Sequence, residues 1–455
     1  MSGPQVSLEN LTPELNNFDP EVRQKALLAF ADLPKPPLMV PPHVNMHCHT
    51  FYSYNGYDSS PSMIAAKAVD AGWSAAATCD FDVLDAMDEF LAASDLLGLR
   101  AAVNLETRVF FKEYADHEIN SPGEPGVYYF MGAGFVQQPL ADSPAAAQLA
   151  AMRAGAEARN RDLISRVNAV LGEVSLSYAN DVLPLTPAGN ATERHICTAY
   201  YDKSKAIFAD DAQWVAYWAR EFNMPAEKVQ ALLDAPMNFN DVCRSKLMKK
   251  GGPGYVQPNE KTFPLLDDVI AMILASNAMP MATWLDGMTS GEADIRTQLE
   301  CLKAKGVVAL NIIPDRNWDI KDAEVAKTKI AKLHECVEVA DSLNLPINVG
   351  TELNKYGQRW VDDFTAAAML PCAERFIKGA EIMVGHTRLQ RYAGAGYCSD
   401  AAVSSFADVT ERNTVFAKIG GLPAPSRAQH ESLLAMENDQ AFSQLMDAAE
   451  SGWSA

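Results

Sequence analysis

Val44-Asn45-Met46-His47-Cys48-His49 is the stretch that decides the fold. A short apolar run ends in two histidines at a spacing of two, and side chains at that spacing project from the same face of a β-strand. Two imidazoles side by side at a strand end can bind one metal ion, each through a neutral ring nitrogen. His47 and His49 are therefore predicted to be metal ligands.

Strand and helix patterns alternate on both sides of this pair, which is typical of a parallel β/α arrangement. The alternation stops at about residue 137, where an alanine-rich amphipathic helix begins, and it resumes near residue 263. The mostly helical stretch of about 137–255 is therefore predicted to be an insertion carried by a barrel. The predicted strands are 44–46, 73–78, 101–105, 279–284, 307–313, 346–351, 381–385 and 415–418.

Composition narrows the classes of protein that fit. The chain has 455 residues and a formal net charge of −20, a field that repels nucleic acid polymers. A small anionic substrate is allowed, because a bound divalent cation changes the local sign of charge. The eight cysteines form no C-x-x-C pair, and no signal peptide core or membrane-length apolar run is present in the sequence. We expect a reduced, cytoplasmic protein without membrane contact; a homo-oligomer is compatible with this composition.

Polar residues follow the predicted strands at the points where each strand ends. In parallel β/α folds the carboxyl ends of the strands form the active-site face. Acidic and imidazole side chains that meet there need a cation between them, and a divalent metal can also activate water for hydrolysis. The residues at these positions are His47, His49, Asp80, Asp82, Glu106, Asp286, Glu352 and His386.

The first of these motifs resemble the PHP family, which contains the polymerase and histidinol phosphatase domains. The resemblance is carried by His47-Cys48-His49-Thr50 and by the strand ends at Asp80 and Glu106. It covers residues 43–110 well and 279–355 weakly, and it leaves out the helical insertion and both termini. It implies a distorted seven-stranded β/α barrel and metal-dependent phosphoesterase chemistry.

The resemblance also implies a set of metal ligands. The first metal would take His47, His49, Glu106 and Glu352, and a second metal would share Glu106 and add His195. Two of the family's ligand positions are occupied by Phe81 and Asn354, which are unsuited to zinc. We therefore expect one or two divalent ions (Zn, Mn or Fe) rather than three.

Further residues are candidates for catalysis or substrate binding. Asp80 would orient an imidazole or bind metal, with capping of the following helix as the alternative. His195 and His386 would complete a second site or move a proton, whereas a surface or buried structural histidine is the alternative for each. Four cationic residues would bind an anionic substrate, unless they neutralise nearby carboxylates, as Lys355 would beside Glu352. These are Arg108, Arg194, Lys355 and Arg388.

The sequence thus predicts an α/β protein with a PHP-like distorted (β/α)7 TIM-type barrel and a helical insertion that covers the site. The predicted function is a metal-dependent hydrolase, a phosphoesterase acting on a small phosphorylated molecule. The alternatives are an amidohydrolase-like enzyme acting on C–N bonds or a sugar acid, and a non-catalytic ligand-binding barrel with a decayed metal site. The predicted segments are an N-terminal helical extension (1–40), the first part of the barrel (41–136), the insertion (137–255), the second part of the barrel (256–420) and a C-terminal helical tail (421–455).

Overall fold

A seven-stranded sheet forms the centre of the protein, and the computed structural model describes it together with the rest of residues 7–453. The strands pair in chain order. Residues 1–6 and 454–455 of the predicted terminal segments lie outside the described residues. The strands are β1 Val44–Cys48, β2 Ala75–Phe81, β3 Ala101–Phe110, β4 Val127–Ala133, β5 Met279–Trp284, β6 Ala309–Ile312 and β7 Ile347–Val349.

Helices surround this sheet and fill the long segment between β4 and β5. The helices are α1 Leu8–Leu15, α2 Pro20–Ala31, α3 Pro61–Asp70, α4 Met87–Leu97, α5 Pro144–Leu171, α6 Glu193–Ile207, α7 Asp211–Phe222, α8 Ala226–Gln230, α9 Pro236–Cys243, α10 Leu266–Ala275, α11 Ile295–Ala304, α12 Asp315–Trp318, α13 Ala323–Ser342, α14 Ala373–Ala393, α15 Asp400–Ser405, α16 Val409–Gly421, α17 Arg427–Ala435 and α18 Asn438–Ser451. Tighter or wider single turns span Lys112–Tyr114, Tyr178–Val182, Leu183–Leu185 and Arg244–Met248. No helix within residues 7–453 combines the length and apolar composition needed to cross a membrane.

The sheet curls until its two edges nearly meet. Beyond β7, the backbone of Glu352 lies beside the end of β1 in a parallel bridge to Cys48. The amide of His49 donates to the Glu352 carbonyl at 2.7 Å, and the Glu352 amide donates to the His47 carbonyl at 2.8 Å. The prediction of an α/β fold with a barrel-like sheet is therefore confirmed, while its assignment to the PHP type stays a prediction.

One strand departs from the predicted parallel arrangement. β4 runs antiparallel to both β3 and β5, and the remaining neighbours are parallel. The sequence analysis missed β4 altogether. Antiparallel strands can be joined without a crossover helix, and the connection between β3 and β4 carries only a single helical turn, so the helix–strand alternation gave no signal there.

The helical segment after β4 has its own apolar core, which contains Trp214, Trp218 and Phe239. It also contacts the barrel: the Asn190 amide nitrogen donates to the carbonyl oxygen that ends β2, on Phe81, at 2.8 Å. The segment therefore lies over the carboxyl ends of the first strands. Its boundaries as a domain stay a prediction.

Two predicted strands are helical in the structure. Residues 381–385 belong to α14 and residues 415–418 belong to α16, and these two helices pack against each other. A short apolar run is compatible with a buried strand or a buried helix, because periodicity alone does not separate the two. The close contact requires glycine: a Cβ on Gly420 would lie 1.7 Å from the Glu381 carbonyl oxygen.

Gly420→Ala is expected to lower the free energy of unfolding by about 1–3 kcal/mol, because an added methyl group has no space between α14 and α16. Gly421→Ala is the matched control, since its Cβ would meet only the flexible end of the Glu381 side chain, at 3.3 Å. Chemical denaturation of both variants measures the difference. Equal stabilities would contradict the described packing.

Candidate metal centre

Three side chains meet in a buried group where β1 ends and at the middle of β3, level with the carboxyl end of β2. The Nε2 atoms of His47 and His49 lie 3.4 Å apart. The Oε2 atom of Glu106 lies 3.4 Å from the first Nε2 and 3.1 Å from the second. Among the described residues these three form the one group of histidine, cysteine or acidic side chains whose geometry fits a metal ion. We refer to it as the His-His-Glu group.

The opposite ring nitrogen of each histidine is held by a neutral oxygen. His47 Nδ1 lies 3.3 Å from Asn311 Oδ1, an oxygen that already accepts a hydrogen bond from Asn348. His49 Nδ1 lies 3.1 Å from Ser53 Oγ, whose own proton is donated to Asp80 at 2.6 Å. Each acceptor therefore requires a proton on Nδ1. Both Nε2 lone pairs are left to face Glu106, which is the arrangement of a metal-binding histidine.

The fold brings these residues together through strand register. His47 and His49 share one face of the β1 end, and Glu106 lies on β3, opposite Phe81 of β2. The Phe81 ring stacks on the His49 imidazole with a centroid separation of 4.4 Å. This residue, predicted as a lost ligand, thus forms an apolar wall that keeps water from one side of the imidazole.

The charges of the His-His-Glu group are unbalanced. Burial lowers the pKa of His47, but the facing Glu106 carboxylate outweighs this effect and the pKa is raised. Burial raises the pKa of Glu106, yet the two imidazoles outweigh that effect and hold its pKa well below the ordinary value. Glu106 Oε2 is buried and finds no hydrogen-bond donor among the described residues. The ionised carboxylate thus demands positive charge at the Nε2 atoms, and this donor set fits a divalent cation.

Asp80 lies one step away from the group. Its carboxylate accepts hydrogen bonds from the Thr50 amide at 2.8 Å and the Thr50 hydroxyl at 2.7 Å, in addition to the bond from Ser53. Asp80 therefore orients His49 through Ser53 and is not itself part of the His-His-Glu group. Of its two predicted roles, the orientation of an imidazole is the one that fits this geometry.

Glu352 lies beside the His-His-Glu group but is not part of it. Its carboxylate accepts a hydrogen bond from Arg316 at 2.5 Å, and its backbone has a left-handed φ of 65° where it pairs with β1. The predicted fourth ligand is therefore engaged by a guanidinium. The arginine lies in α12, and no motif in the sequence pointed to it.

His195 and His386 lie outside the His-His-Glu group, and each is hydrogen-bonded to the backbone. His195 Nδ1 accepts a hydrogen bond from the Thr192 amide at 3.0 Å and caps the first turn of α6, and burial lowers its pKa to about 3. His386 lies within α14; its Nδ1 accepts from the Tyr397 amide at 2.9 Å, and its Nε2 donates to the Gly134 carbonyl at 3.0 Å. Neither histidine belongs to the His-His-Glu group. Both histidines thus bond to backbone groups near α6 and α14, and their metal and catalytic roles stay predictions.

Three of the four predicted substrate-binding cations have protein partners. Arg194 and Lys355 both pair with Asp241, at 3.0 and 2.9 Å. Arg388 is buried in α14 and donates to the carbonyl oxygens of Ile419, Leu422 and Pro423, at the end of α16 and in the residues beyond it. These contacts fit the alternative in which the cations pair with groups of the protein, and substrate binding by these three residues stays a prediction. The Arg108 guanidinium differs from these: it lies 3.9 Å from Glu124 and donates no hydrogen bond to any described residue.

The sequence analysis missed the asparagines of the barrel interior. Asn311 interrupts the apolar run of β6, and Asn104 and Asn348 both donate to the Met46 carbonyl, at 2.9 and 3.0 Å. A polar residue inside an otherwise apolar parallel strand was the available signal, since burial of an amide requires a hydrogen-bond partner.

Comparisons with known proteins give the fold a context. No family model and no curated protein matches the chain. Among solved structures, an amidohydrolase from Chromobacterium violaceum with bound sulfate and no metal is 16% identical, with a TM-score of 0.48 over 70% of this chain and 91% of that one. A protein from Bifidobacterium adolescentis, provisionally described as a metal-dependent phosphoesterase, is 17% identical, with a TM-score of 0.44 over 74% of this chain and 97% of that one. Likeness at this level carries no functional argument, so function is argued from the site.

Ser53→Ala is expected to weaken metal affinity about tenfold or more, because the His49 Nδ1 proton loses its acceptor and the ring loses its orientation. Ser94→Ala is the control, since it removes a buried hydroxyl that bonds only within α4. Competition with a chromophoric chelator measures both affinities. Unchanged affinity in Ser53→Ala would contradict the described orientation of His49.

Proposed function

We propose that this protein is a metal-dependent hydrolase that acts on a small phosphorylated molecule. The observation that carries the proposal is the convergence of two imidazole Nε2 atoms and one carboxylate oxygen in a buried pocket, level with the carboxyl ends of β1 and β2. This is the face on which β/α barrels place their active sites. The Glu106 carboxylate and the two Nε2 atoms in this pocket require a positive charge between them.

His47, His49 and Glu106 would hold a divalent cation. When bound, such a cation supplies Lewis acidity, which polarises the scissile bond and activates water at neutral pH. The chain's own contribution is to fix the three ligands before the cation arrives. Asn311 and Ser53 set the orientation of the two rings, and they do so through neutral oxygens that leave the charge of the centre unchanged.

Arg108 supports an anionic substrate. It lies on β3 two residues beyond Glu106, and side chains at that spacing project from the same face of a strand. A guanidinium presents a planar fork of donors that suits phosphate and carboxylate oxygens. Arg108 therefore favours a substrate that carries an anionic group, and the choice of a phosphate ester as the hydrolysed bond follows the sequence resemblance. Amide and lactone substrates are the alternative that the experiment must separate.

Metal analysis tests the metal centre. Full-length protein purified without chelator is expected to carry near-stoichiometric Zn, Mn or Fe, and His47→Ala/His49→Ala is expected to lose it because two of the three ligands are removed. His117→Ala/His430→Ala is the matched control, since both histidines lie outside the His-His-Glu group. Equal metal content in the wild type and the His47→Ala/His49→Ala variant would contradict the proposed centre.

A substrate panel tests the reaction. Phosphate release from a series of small phosphate monoesters is expected in the presence of Mn²⁺ or Zn²⁺. The His47→Ala/His49→Ala variant is expected to lose roughly a hundredfold or more of this rate, because the cation that would stabilise the transition state is no longer held. Amides and lactones are assayed in parallel. Hydrolysis of these compounds without release of phosphate from any ester would overturn the phosphoesterase proposal and leave the metal centre standing.

A further inference from the structure

Four cationic side chains gather beside the His-His-Glu group. We call them the basic cluster: Arg108 of β3, Arg159 of α5, Arg244 and Lys249. The first two lie over one aromatic ring, with guanidinium carbons 4.4 and 4.7 Å from the centroid of Phe263. The cluster is notable in a chain with a net charge of −20, because its cations outnumber the carboxylates that face them.

A single carboxylate serves two members of the basic cluster. Glu193 Oε2 lies 2.7 Å from Arg244 Nε and 2.8 Å from Lys249 Nζ. Together with Arg108, these two cations hold the pKa of Glu193 far below its ordinary value, to about 2, although burial acts in the opposite direction. Glu193 is therefore ionised, and its close contacts go to Arg244 and Lys249 rather than to the two arginines at Phe263.

Neither arginine at Phe263 donates a hydrogen bond to a carboxylate in the described part of the chain. The Arg108 guanidinium lies 3.9 Å from Glu124, too far for a hydrogen bond, and Arg159 donates to the carbonyl oxygen of Thr262 at 3.2 Å. Another nearby carboxylate, on Asp82, accepts the Thr107 hydroxyl at 2.6 Å. Burial and, to a smaller extent, the adjacent Arg108 lower the pKa of Arg159 to about 10, while Asp82 acts in the opposite direction.

The basic cluster adjoins the His-His-Glu group without overlapping it. Tyr129 pairs with Arg108 in the sheet, and its ring lies 5.9 Å from the Arg108 guanidinium and 6.3 Å from the Phe81 ring, which in turn stacks on His49. The backbone positions of Glu106 and Arg108 are about 7 Å apart along the strand. Arg108 turns toward Phe263 and Arg159, so one small oxyanion cannot fill both places.

We propose that the basic cluster binds an oxyanion of the substrate, phosphate or carboxylate, that is distinct from the group hydrolysed at the His-His-Glu group. The substrate would then carry two polar ends, one at each place, with Tyr129 between them. Bidentate donation from Arg108 and Arg159 would supply the specificity, since planar guanidinium forks match oxyanion geometry. The assignment of this anion to a substrate rests on the proposed hydrolase function, whereas the anion site itself does not.

Calorimetric titration of the full chain, stripped of metal by chelator, tests the site. Inorganic phosphate and malonate are the two probes, and the tighter of them identifies the oxyanion class. Arg159→Gln is expected to weaken binding about tenfold, because a charged hydrogen-bond donor is lost. Arg427→Gln, which removes an exposed arginine paired with Glu431, is the charge-matched control and is expected to leave binding unchanged.

Glu193→Gln tests the same site by a gain of affinity, which a loss of fold could not produce. It removes the competing carboxylate and frees Arg244 and Lys249 for the ligand, so phosphate or malonate should bind more tightly than to the wild type. His47→Ala/His49→Ala is expected to keep oxyanion binding, which separates this site from the metal centre. Failure of both probes to bind the wild type, or equal affinities in Arg159→Gln and Arg427→Gln, would overturn the proposal, whatever the metal analysis shows.

Discussion

The structure depends on one electrostatic constraint: two imidazole nitrogens and one carboxylate oxygen face one another in a buried pocket. The Nδ1 atoms of His47 and His49 carry their protons to Asn311 and Ser53, so both Nε2 lone pairs point at the Glu106 carboxylate. Such an arrangement is stable only with a positive charge at its centre. A proton can meet that demand in part, whereas a divalent cation meets it with all three donors at once.

The closed sheet fixes the positions of these three side chains. Closure through the backbone of Glu352 fixes the end of β1 on both sides of Cys48, between the two histidines. Asn348 donates to Asn311, the residue that orients the His47 ring, and Asn104 and Asn348 both donate to the Met46 carbonyl. These bonds link the ring orientation of His47 to β3, β6 and β7. The helical segment after β4 contributes most of the basic cluster. The His-His-Glu group thus lies on the sheet, whereas three of the four cations of the basic cluster lie on the helical segment.

The sequence predicted the strand-borne part of this site because it depends on local periodicity. His47, His49 and Glu106 end predicted apolar strands, and strand spacing places the two histidines on one face. β3 continues to Phe110 beyond Glu106. The rest depends on contacts between distant segments, which local pattern does not encode. His386 looked like a strand end because the apolar run before it lies in α14 and is buried against α16. Glu352 looked like a ligand because its partner Arg316 lies 36 residues away in the sequence. Asn311, the acceptor for His47, carried only the weak signal of a polar residue within an apolar strand.

The central claim is that the His-His-Glu group holds a cation. Anomalous diffraction from crystals of the full chain grown with Mn²⁺ or Zn²⁺, measured at the absorption edge of that metal, locates the ion without reference to any substrate. We expect a peak within bonding distance of the Nε2 atoms of His47 and His49 and the carboxylate of Glu106. A pocket without anomalous signal at saturating metal, or a peak bound by other residues, would contradict the account.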